Sequence, residues 1–206
     1  MKTGRYAAVV LAAGYSRRME RFKPLLPLGE ETVADHLMSA FLQNGVDVYL
    51  VVGHRRDELR AGIRTRNIQF VENPDYPQGM FSSVRAGLRP LGDGYLAAFI
   101  APVDVPLVRP ATIARLLQAA EEHPGRVIHP VFRMRRGHPP LVPAALFSAV
   151  LDWRGGGGLK SVLHAHEDLA VEVDVPDGNI LVDIDNPADY ARVMERFRRR
   201  EASPGK

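Results

Sequence analysis

The fold is decided by residues 7–28, which read AAVVLAAGYSRRMERFKPLLPL. The apolar run from Ala7 to Leu11 is typical of a buried strand, and the small residues Ala-Ala-Gly follow it directly. Small side chains let a ligand approach the backbone closely, and Gly14 can adopt a positive φ at little steric cost. Backbone N–H groups at such a turn, with Arg18 and Lys23 close behind, suit a polyphosphate. The stretch therefore predicts a phosphate-binding turn, although an ordinary strand-to-helix turn with solvated arginines has the same pattern.

The composition is that of a soluble globular protein. The chain has 206 residues, of which 46% are hydrophobic and 25% charged, enough for one sizeable α/β domain. We expect this domain to span residues 1–200 and to be followed by a basic, flexible tail at 201–206. The sequence contains no cysteine, which excludes disulfides, thiolate catalysis and cysteine zinc sites. No apolar run approaches the roughly 20 residues that span a bilayer, and the start lacks the apolar core of a signal peptide. We therefore expect a cytoplasmic protein that does not bind membranes.

The net charge of +3 does not by itself indicate a nucleic-acid partner. Much of the excess lies near the C-terminus, where basic residues complement the negative end of a helix. No segment interleaves aromatic and basic residues as a base-stacking surface does. We expect no binding of nucleic acid.

Apolar runs and amphipathic stretches alternate along the chain as in repeated βα units. The predicted strands are Ala7–Leu11, Val46–Gly53, Ile68–Glu72, Tyr95–Val103, Val127–Phe132, Pro140–Val142, Val171–Val175 and Leu181–Ile184. The predicted helices are Thr32–Asn44, Arg56–Arg64, Ser82–Leu88, Pro110–Glu122, Ala144–Trp153, Leu159–His166 and Pro187–Arg200. This order predicts a single-domain α/β fold with a Rossmann-like, doubly wound, mostly parallel sheet. Such sheets bind ligands beyond the carboxyl ends of their strands, so the turn after Leu11, the segment at Gly79 and Asp104 are expected to meet at one cleft.

Two cations and two carboxylates are candidates for chemistry on a nucleoside triphosphate. Arg18 and Lys23 could stabilise the negative charge that builds up on a departing pyrophosphate. Asp104 follows the most apolar strand, and Mg²⁺ needs only a few carboxylate oxygens beside water and phosphate. The second carboxylate could come from Asp183 or Asp185, which lie two apart and so on one side of a strand. Both could instead cap the helix that follows.

Two further segments could contact substrates. Gly79 with Ser82 and Ser83 could bind a base or ribose, although serines at a helix start are also common N-caps. Arg136 and His138 lie in a basic hairpin that could meet a phosphorylated acceptor, although such hairpins are often solvated edges. The glycine run 155–158 could form a mobile loop over the same opening.

Several motifs, taken together and in order, resemble the molybdenum-cofactor nucleotidylyltransferases, a MobA-like family of GT-A-like, dinucleotide-fold transferases. The matching blocks are Leu11–Gly14, Ser16, Arg18–Met19, Lys23–Leu28, Asn73–Pro74, Gly79–Val84, Gly87–Leu88, Pro102–Leu107, Arg136–Pro140 and Asp183–Pro187. The resemblance implies Mg²⁺-dependent nucleotidyl transfer, with Arg18, Lys23 and Asp104 catalytic and Asp104 and Asp185 binding the metal. It also implies a nucleotide site at Leu11, Ala12, Ala13, Gly14, Arg18, Lys23, Gly79, Ser82, Ser83 and Asp104.

The resemblance is closest to the cytidylyltransferases of this family. Members that use CTP tend to have alanine at the position of Ala13, where GTP users have a second glycine. The implied reaction transfers CMP from CTP to molybdenum-loaded molybdopterin and releases pyrophosphate, and the implied acceptor-binding residues are Arg136 and His138. A sugar-phosphate nucleotidyltransferase remains an alternative, as does a non-catalytic nucleotide-binding regulator or chaperone of molybdoenzyme maturation. A molybdoenzyme or its maturation chaperone is a possible protein partner.

Overall fold

The computed structural model describes residues 4–19 and 21–202. Its strands are β1 (Arg5–Leu11), β2 (Pro27–Leu28), β3 (Glu31–Thr32), β4 (Asp47–Val52), β5 (Ile68–Glu72), β6 (Tyr95–Pro102), β7 (Val127–Phe132), β8 (Arg135–Arg136), β9 (Leu141–Pro143) and β10 (Ala170–Asp174). Its α-helices are α1 (Val33–Leu42), α2 (Arg56–Gly62), α3 (Met80–Leu88), α4 (Pro110–Glu122), α5 (Phe147–Asp152), α6 (Gly158–Ala165) and α7 (Pro187–Glu201).

Eight of the strands in the described residues form one twisted sheet around β1. Its spatial order is β10-β7-β9-β6-β1-β4-β5, and β8 pairs with β7 at one side. β1 runs parallel to β4 and β6, β4 runs parallel to β5, and β7 runs parallel to β10. β9 lies antiparallel between β6 and β7. The predicted doubly wound, mostly parallel α/β fold is confirmed.

Successive side chains of the central strand β1 point alternately into two hydrophobic cores, one on each face of the sheet. Ala8 and Val10 point into the core on one side of the sheet, and Ala7, Val9 and Leu11 point into the core on the other. This is the two-residue period of a strand whose two faces are both covered. On the second face α3 packs very closely on β1, because a Cβ at Gly87 would lie 2.1 Å from the side chain of Val9.

Parallel strands bring several loops to one edge of the sheet. The N–H of Ala12 donates to the carbonyl of Val51 at 3.0 Å, and the N–H of Val103 donates to the carbonyl of Leu11 at 3.2 Å. The loops that leave β1, β4 and β6 therefore start side by side. This edge carries the candidate site.

One local prediction was wrong. Residues 181–184 form no strand: a turn of 3-10 helix ends at Leu181, and the segment makes single bonds, from the N–H of Ile184 to Asp104 and from the N–H of His138 to Ile180, at 2.8 and 2.9 Å. Gly14 does not have a positive φ; the left-handed residue of this loop is Ser16, with φ of 54°.

The C-terminal end of the described chain is helical. α7 extends through Glu201, one residue beyond the boundary expected for the domain, and residues 203–206 of the predicted tail lie outside the described residues. None of the described helices is long and apolar enough to cross a membrane.

Candidate active site

A cleft of about 450 Å³ opens at the carboxyl edge of the sheet. Eight of the residues predicted from sequence line it: Leu11, Ala12, Ala13, Gly14, Lys23, Gly79, Ser83 and Asp104. Eight others, which the motifs did not single out for this role, complete the wall: Tyr15, Ser16, Pro24, Tyr76, Pro77, Met80, Pro102 and Val103. The cleft therefore contains most of the predicted nucleotide site. Arg18, Ser82 and Asp185 do not line it, and Asp185 is joined to it by its bond from Lys23.

Lys23 lies at the centre of the charged groups. Its ammonium is 3.1 Å from Oδ1 of Asp185 and 3.7 Å from Oδ2 of Asp104, and its side chain is only 11% exposed. The hydroxyl of Ser16 accepts the backbone N–H of Lys23 at 3.2 Å. The ammonium of Lys23 offsets the electrostatic repulsion between the carboxylates of Asp104 and Asp185.

Arg18 reaches the same carboxylate from the solvent side. Its Nη2 donates to Oδ1 of Asp185 at 3.0 Å, and its side chain is 73% exposed. An exposed ion pair of this kind contributes about 0–1 kcal/mol. Arg18 can therefore change partners at little cost when a more highly charged anion enters the cleft.

A capping box positions Asp185 at the start of α7. The side chain of Asn186 accepts the N–H groups of Ala188 and Asp189, and the carboxylate of Asp189 accepts the N–H groups of Asp185 and Asn186. Neither Asp183 nor Asp185 caps the helix, so the alternative role considered for them is wrong. Asp185 is left with its side chain directed at the two cations.

Burial raises the pKa of Asp104, and the carboxylates of Asp183 and Asp185 raise it further, while Lys23 lowers it. Oxygen ligands of this kind suit Mg²⁺ or Mn²⁺. The described residues contain no group of three or more side chains that could hold a metal ion alone. Two carboxylates nevertheless fit a cation that takes its remaining ligands from water and substrate phosphates, as Mg²⁺ does.

The loop before α3 is organised by Asn73, a buried residue that donates to the hydroxyls of Ser82 and Ser83 at 2.9 and 3.0 Å. Ser82 in turn donates to the carbonyls of Asp75 and Gly79, both at 2.8 Å. Ser82 therefore closes the loop, whereas Ser83 faces the cleft. Neither serine is the N-cap, because α3 begins at Met80 and Gly79, with φ of 104°, takes that position.

Aromatic rings and small residues shape the opposite wall. The rings of Tyr15 and Tyr76 lie 5.3 Å apart and both line the cleft. A Cβ at Gly53 would lie 2.8 Å from the ring of Tyr76 and 2.9 Å from the methyl group of Ala13. The buried methyl of Ala13 is thus fixed between β4 and the cleft.

A second cavity of about 540 Å³ adjoins the first and shares Leu11, Met80 and Pro102 with it. Its other lining residues are Phe81, Val84, Ile100, His129, Arg136, Gly137, His138, Pro140, Gly157, Gly158, Leu159, Lys160, Leu163, His164 and Glu167. Met80 is 62% exposed although it is apolar, so its side chain is available to a ligand in either space. Both predicted acceptor residues, Arg136 and His138, lie in this second wall.

These two residues differ in how free they are to bind. Arg136 donates to Glu172 at 2.7 Å and to Glu167 at 2.5 Å, and these partners raise its pKa. Its charge is already balanced, so we infer that it braces the wall. His138 has its pKa lowered by desolvation, against the opposing influence of Asp183. Burial and the charge of Arg136 lower the pKa of His129 to about 4, so its ring is neutral at pH 7.

Comparison with known proteins identifies the family. The model of the MobA-like NTP transferase domain matches residues 8–169. The chain is a MobA-like NTP transferase. It is accordingly a nucleotidyltransferase, which binds a nucleoside triphosphate and a phosphorylated acceptor.

Relatives of this MobA-like transferase extend over almost the whole chain. The molybdenum cofactor cytidylyltransferase of Escherichia coli K12 is 27% identical over 190 residues, which cover 92% of this chain and 95% of the relative. A probable molybdenum cofactor guanylyltransferase of Mycolicibacterium paratuberculosis is 26% identical over 196 residues, with the same coverage of both chains. The two relatives are named for different nucleotides, and their sequence identities to this chain are almost equal.

A solved structure agrees with the fold of this MobA-like transferase. Rv0371c from Mycobacterium tuberculosis H37Rv superposes with a TM-score of 0.84 at 26% identity, covering 95% of this chain and 100% of that one. A complex of Rv0371c with manganese superposes with a TM-score of 0.77 at 25% identity, covering 93% and 98%. The manganese in that protein is consistent with a divalent cation in the family.

Sequence reasoning missed several residues of the two walls, among them Tyr76, Met80 and Phe81. Met80 and Phe81 look like ordinary core positions of an amphipathic helix, and Tyr76 like part of a polar loop. Their position in the sequence could have identified them, because they flank Gly79, whose positive φ turns the loop towards the cleft.

Proposed function

We propose that this chain is a molybdenum cofactor cytidylyltransferase, which transfers CMP from CTP to the phosphate of molybdenum-loaded molybdopterin and releases pyrophosphate. Mg²⁺ is the proposed cofactor. The nucleotide would occupy the cleft beside Lys23, and the acceptor the adjoining cavity. The MobA-like family supports the reaction class, and the relative named a cytidylyltransferase supports the acceptor.

The lining of the second cavity is the observation that carries the choice of acceptor. Apolar side chains make up much of this lining beside its polar groups: Phe81, Val84, Ile100, Leu159 and Leu163. Where a sugar met these apolar side chains, its hydroxyls would give up hydrogen bonds to water, which is costly. A flat heterocycle such as a pterin instead buries apolar surface, and the neutral ring of His129 can still bond to its edge.

Ala13 supports the choice of CTP. A methyl group at this point of the wall narrows the space for a base and favours a pyrimidine over a purine. One methyl group discriminates by roughly 1–3 kcal/mol. We therefore expect Ala13→Gly to reduce the preference for CTP over GTP by about 10-fold or more, measured as the ratio of the two kcat/KM values.

The proposed mechanism needs no general base. The acceptor phosphate has a second pKa of about 6 and is ionised near neutral pH, so it can attack the α-phosphorus directly when held in line. Lys23 and Arg18 would exchange Asp185 for the triphosphate and stabilise the charge on the departing pyrophosphate. Mg²⁺ held by Asp104 and Asp185 would add positive charge at the phosphate oxygens. Positioning and electrostatics then supply the rate enhancement.

The deciding experiment measures pyrophosphate release from each of the four ribonucleoside triphosphates with Mg²⁺. Molybdenum-loaded molybdopterin and a panel of sugar phosphates serve as acceptors. We expect turnover with CTP and the pterin, and none with the sugars. Turnover with a sugar phosphate would replace the acceptor, turnover with GTP would replace the nucleotide, and nucleotide binding without any turnover would favour the regulator.

A further inference from the structure

Arg85 connects the helix that lines both cavities to the far wall of the second one. It lies on α3, two residues after Ser83 and one turn after Phe81. Its guanidinium packs over the ring of Phe81, 4.5 Å from the ring centre. It also donates to the carbonyls of Val150, at 3.3 Å, and Trp153.

These two carbonyls lie at the C-terminal end of α5, where helix carbonyls have no partner within the helix. A cation there bonds to them and complements the negative end of the helix. Arg85 therefore fixes the direction in which the chain leaves α5. The residues that follow are Arg154 and four glycines, 155–158.

The glycine segment is packed between the rings of Trp153 and Phe81, and Arg85 contacts the backbone of the first and the ring of the second. Nε1 of Trp153 donates to the carbonyl of Gly156 at 3.3 Å, and a Cβ at Gly155 would lie 2.9 Å from the Trp153 ring. At the other end, a Cβ at Gly158 would lie 3.6 Å from Cβ of Phe81. Four successive glycines have little conformational preference of their own, so these contacts determine where the segment lies.

The segment forms part of the acceptor wall. Gly157 and Gly158 line the second cavity, and Leu159 and Lys160 continue the lining into α6. Gly157 and Gly158 have φ values of 78° and 64°, a conformation that glycine adopts readily but that nothing in these two residues enforces. Moving this wall changes the second cavity and leaves the cleft around Lys23 intact.

We infer that Arg85 is a positioning residue for the acceptor: it holds the 155–158 segment against Phe81 and so gives the second cavity its shape. The inference rests on the proposed function only in assigning that cavity to the acceptor. Removal of the guanidinium should impair binding of the acceptor and spare binding of the nucleotide. A purely structural residue would affect both.

The test compares Arg85→Gln with Arg89→Gln, a matched control at the exposed C-cap of α3, four residues after Arg85. In Arg85→Gln we expect the KM for the acceptor to rise at least 10-fold and the KM for the nucleotide to stay within 2-fold. Arg85→Lys, which keeps the charge but loses the planar guanidinium that reaches two carbonyls, should restore part of the lost acceptor binding. Arg89→Gln should match the unaltered protein. An equal rise in both KM values, or no rise in either, would overturn the inference.

A second arm needs no acceptor and so separates this inference from the proposed function. Amide hydrogen exchange of residues 154–160 should be at least 10-fold faster in Arg85→Gln and unchanged in Arg89→Gln. Unchanged exchange in Arg85→Gln would overturn the inference even if the pterin proves to be the acceptor. If Arg85→Gln fails to fold, Arg85→Lys decides by the same measurement: faster exchange confined to residues 154–160 supports the inference, and faster exchange throughout the protein overturns it.

Discussion

Asp104 is a partly buried acid whose ionisation is opposed by its surroundings. Burial and two neighbouring carboxylates raise its pKa, so its ionised form is disfavoured in the folded state despite the nearby Lys23. Groups of this kind cluster at functional sites, where activity is obtained at the expense of stability. The same reasoning accounts for an acid two residues after the apolar strand β6.

We therefore expect Asp104→Asn to separate activity from stability. Turnover should fall at least about 10²-fold, because an electrostatic partner of the reacting phosphates is lost. The melting temperature should stay equal or rise, because the amide carries no charge for burial to penalise. Rate assays and thermal melts on the same preparations measure both. Asp93→Asn, at an exposed position before β6, is the control; an active Asp104→Asn would remove Asp104 from the site.

At the scale of single elements, the β7–β8 hairpin contains avoidable strain. Its two-residue turn consists of Arg133 and Met134, with φ values of 49° and 60°, and two-residue turns with this geometry favour Asn-Gly. Replacing the pair by Arg133→Asn and Met134→Gly should raise the free energy of unfolding by about 1 kcal/mol, after the loss of the Arg133 contact with Phe132.

Urea denaturation tests this expectation, and Arg135→Asn, just outside the turn, serves as the control. Neither turn residue lines the second cavity, so turnover should stay within about 2-fold. A double variant less stable than the unaltered protein would show that the turn residues make contacts that outweigh the strain.

Helix α1 depends on a buried carboxylate in its first turn. Asp35 is 2% exposed, and Oδ1 accepts both the N–H and the hydroxyl of Thr65 and the N–H of Arg64, while the hydroxyl of Thr32 donates to Oδ2. Burial raises the pKa of Asp35, but these hydrogen bonds outweigh burial and lower it overall. The side chain thus joins the start of α1 to the chain after α2.

Asp35→Asn should lower the free energy of unfolding by about 1–3 kcal/mol at pH 7. Because the pKa is lowered on folding, the stabilisation is complete above the unfolded pKa of about 3.9 and disappears as the pH falls through the folded value. The difference between variant and unaltered protein should therefore shrink in acid, as measured by urea denaturation at pH 7 and pH 3. The exposed Asp57→Asn is the control, and a difference independent of pH would contradict the charge-based explanation.

At the scale of the whole molecule, the sequence predicted the succession of strands and helices but not the structure of residues 181–184. The continuous apolar runs of β1 and β6 are local patterns, so they could be read directly, as could Lys23 and Asp104 after them. The segment 180–184 is mostly apolar because it packs against the core, yet Ile180 and Ile184 bond separately to His138 and Asp104 and form no ladder. The ion pairs of Arg136 depend on residues more than 30 positions away, which no local pattern reveals.

Asp177 joins the segment that precedes Asp185 to the start of α4. It is 1% exposed and receives four hydrogen bonds: from the N–H of Arg109 at 2.9 Å, from the hydroxyl of Thr112 at 2.8 Å, and from the N–H and side chain of Asn179 at 3.2 and 2.9 Å. All four partners donate. The carboxylate thereby ties the start of α4 to the chain that leads to Asp185.

Asp177→Asn should consequently disturb both stability and the distant site. The new amide group must face donors whichever way it is turned, so we expect a loss of about 3 kcal/mol in the free energy of unfolding. Turnover of the folded fraction should fall at least 10-fold, because the segment that carries Asp185 loses its anchor. Thr112→Val, which removes one hydrogen bond and keeps the side chain's shape, should cost about 1 kcal/mol and leave turnover nearly unchanged. Urea denaturation together with rates measured well below the melting temperature separates the two effects; a destabilised but fully active Asp177→Asn would mean that the capping box of Asn186 and Asp189 positions Asp185 without help from Asp177.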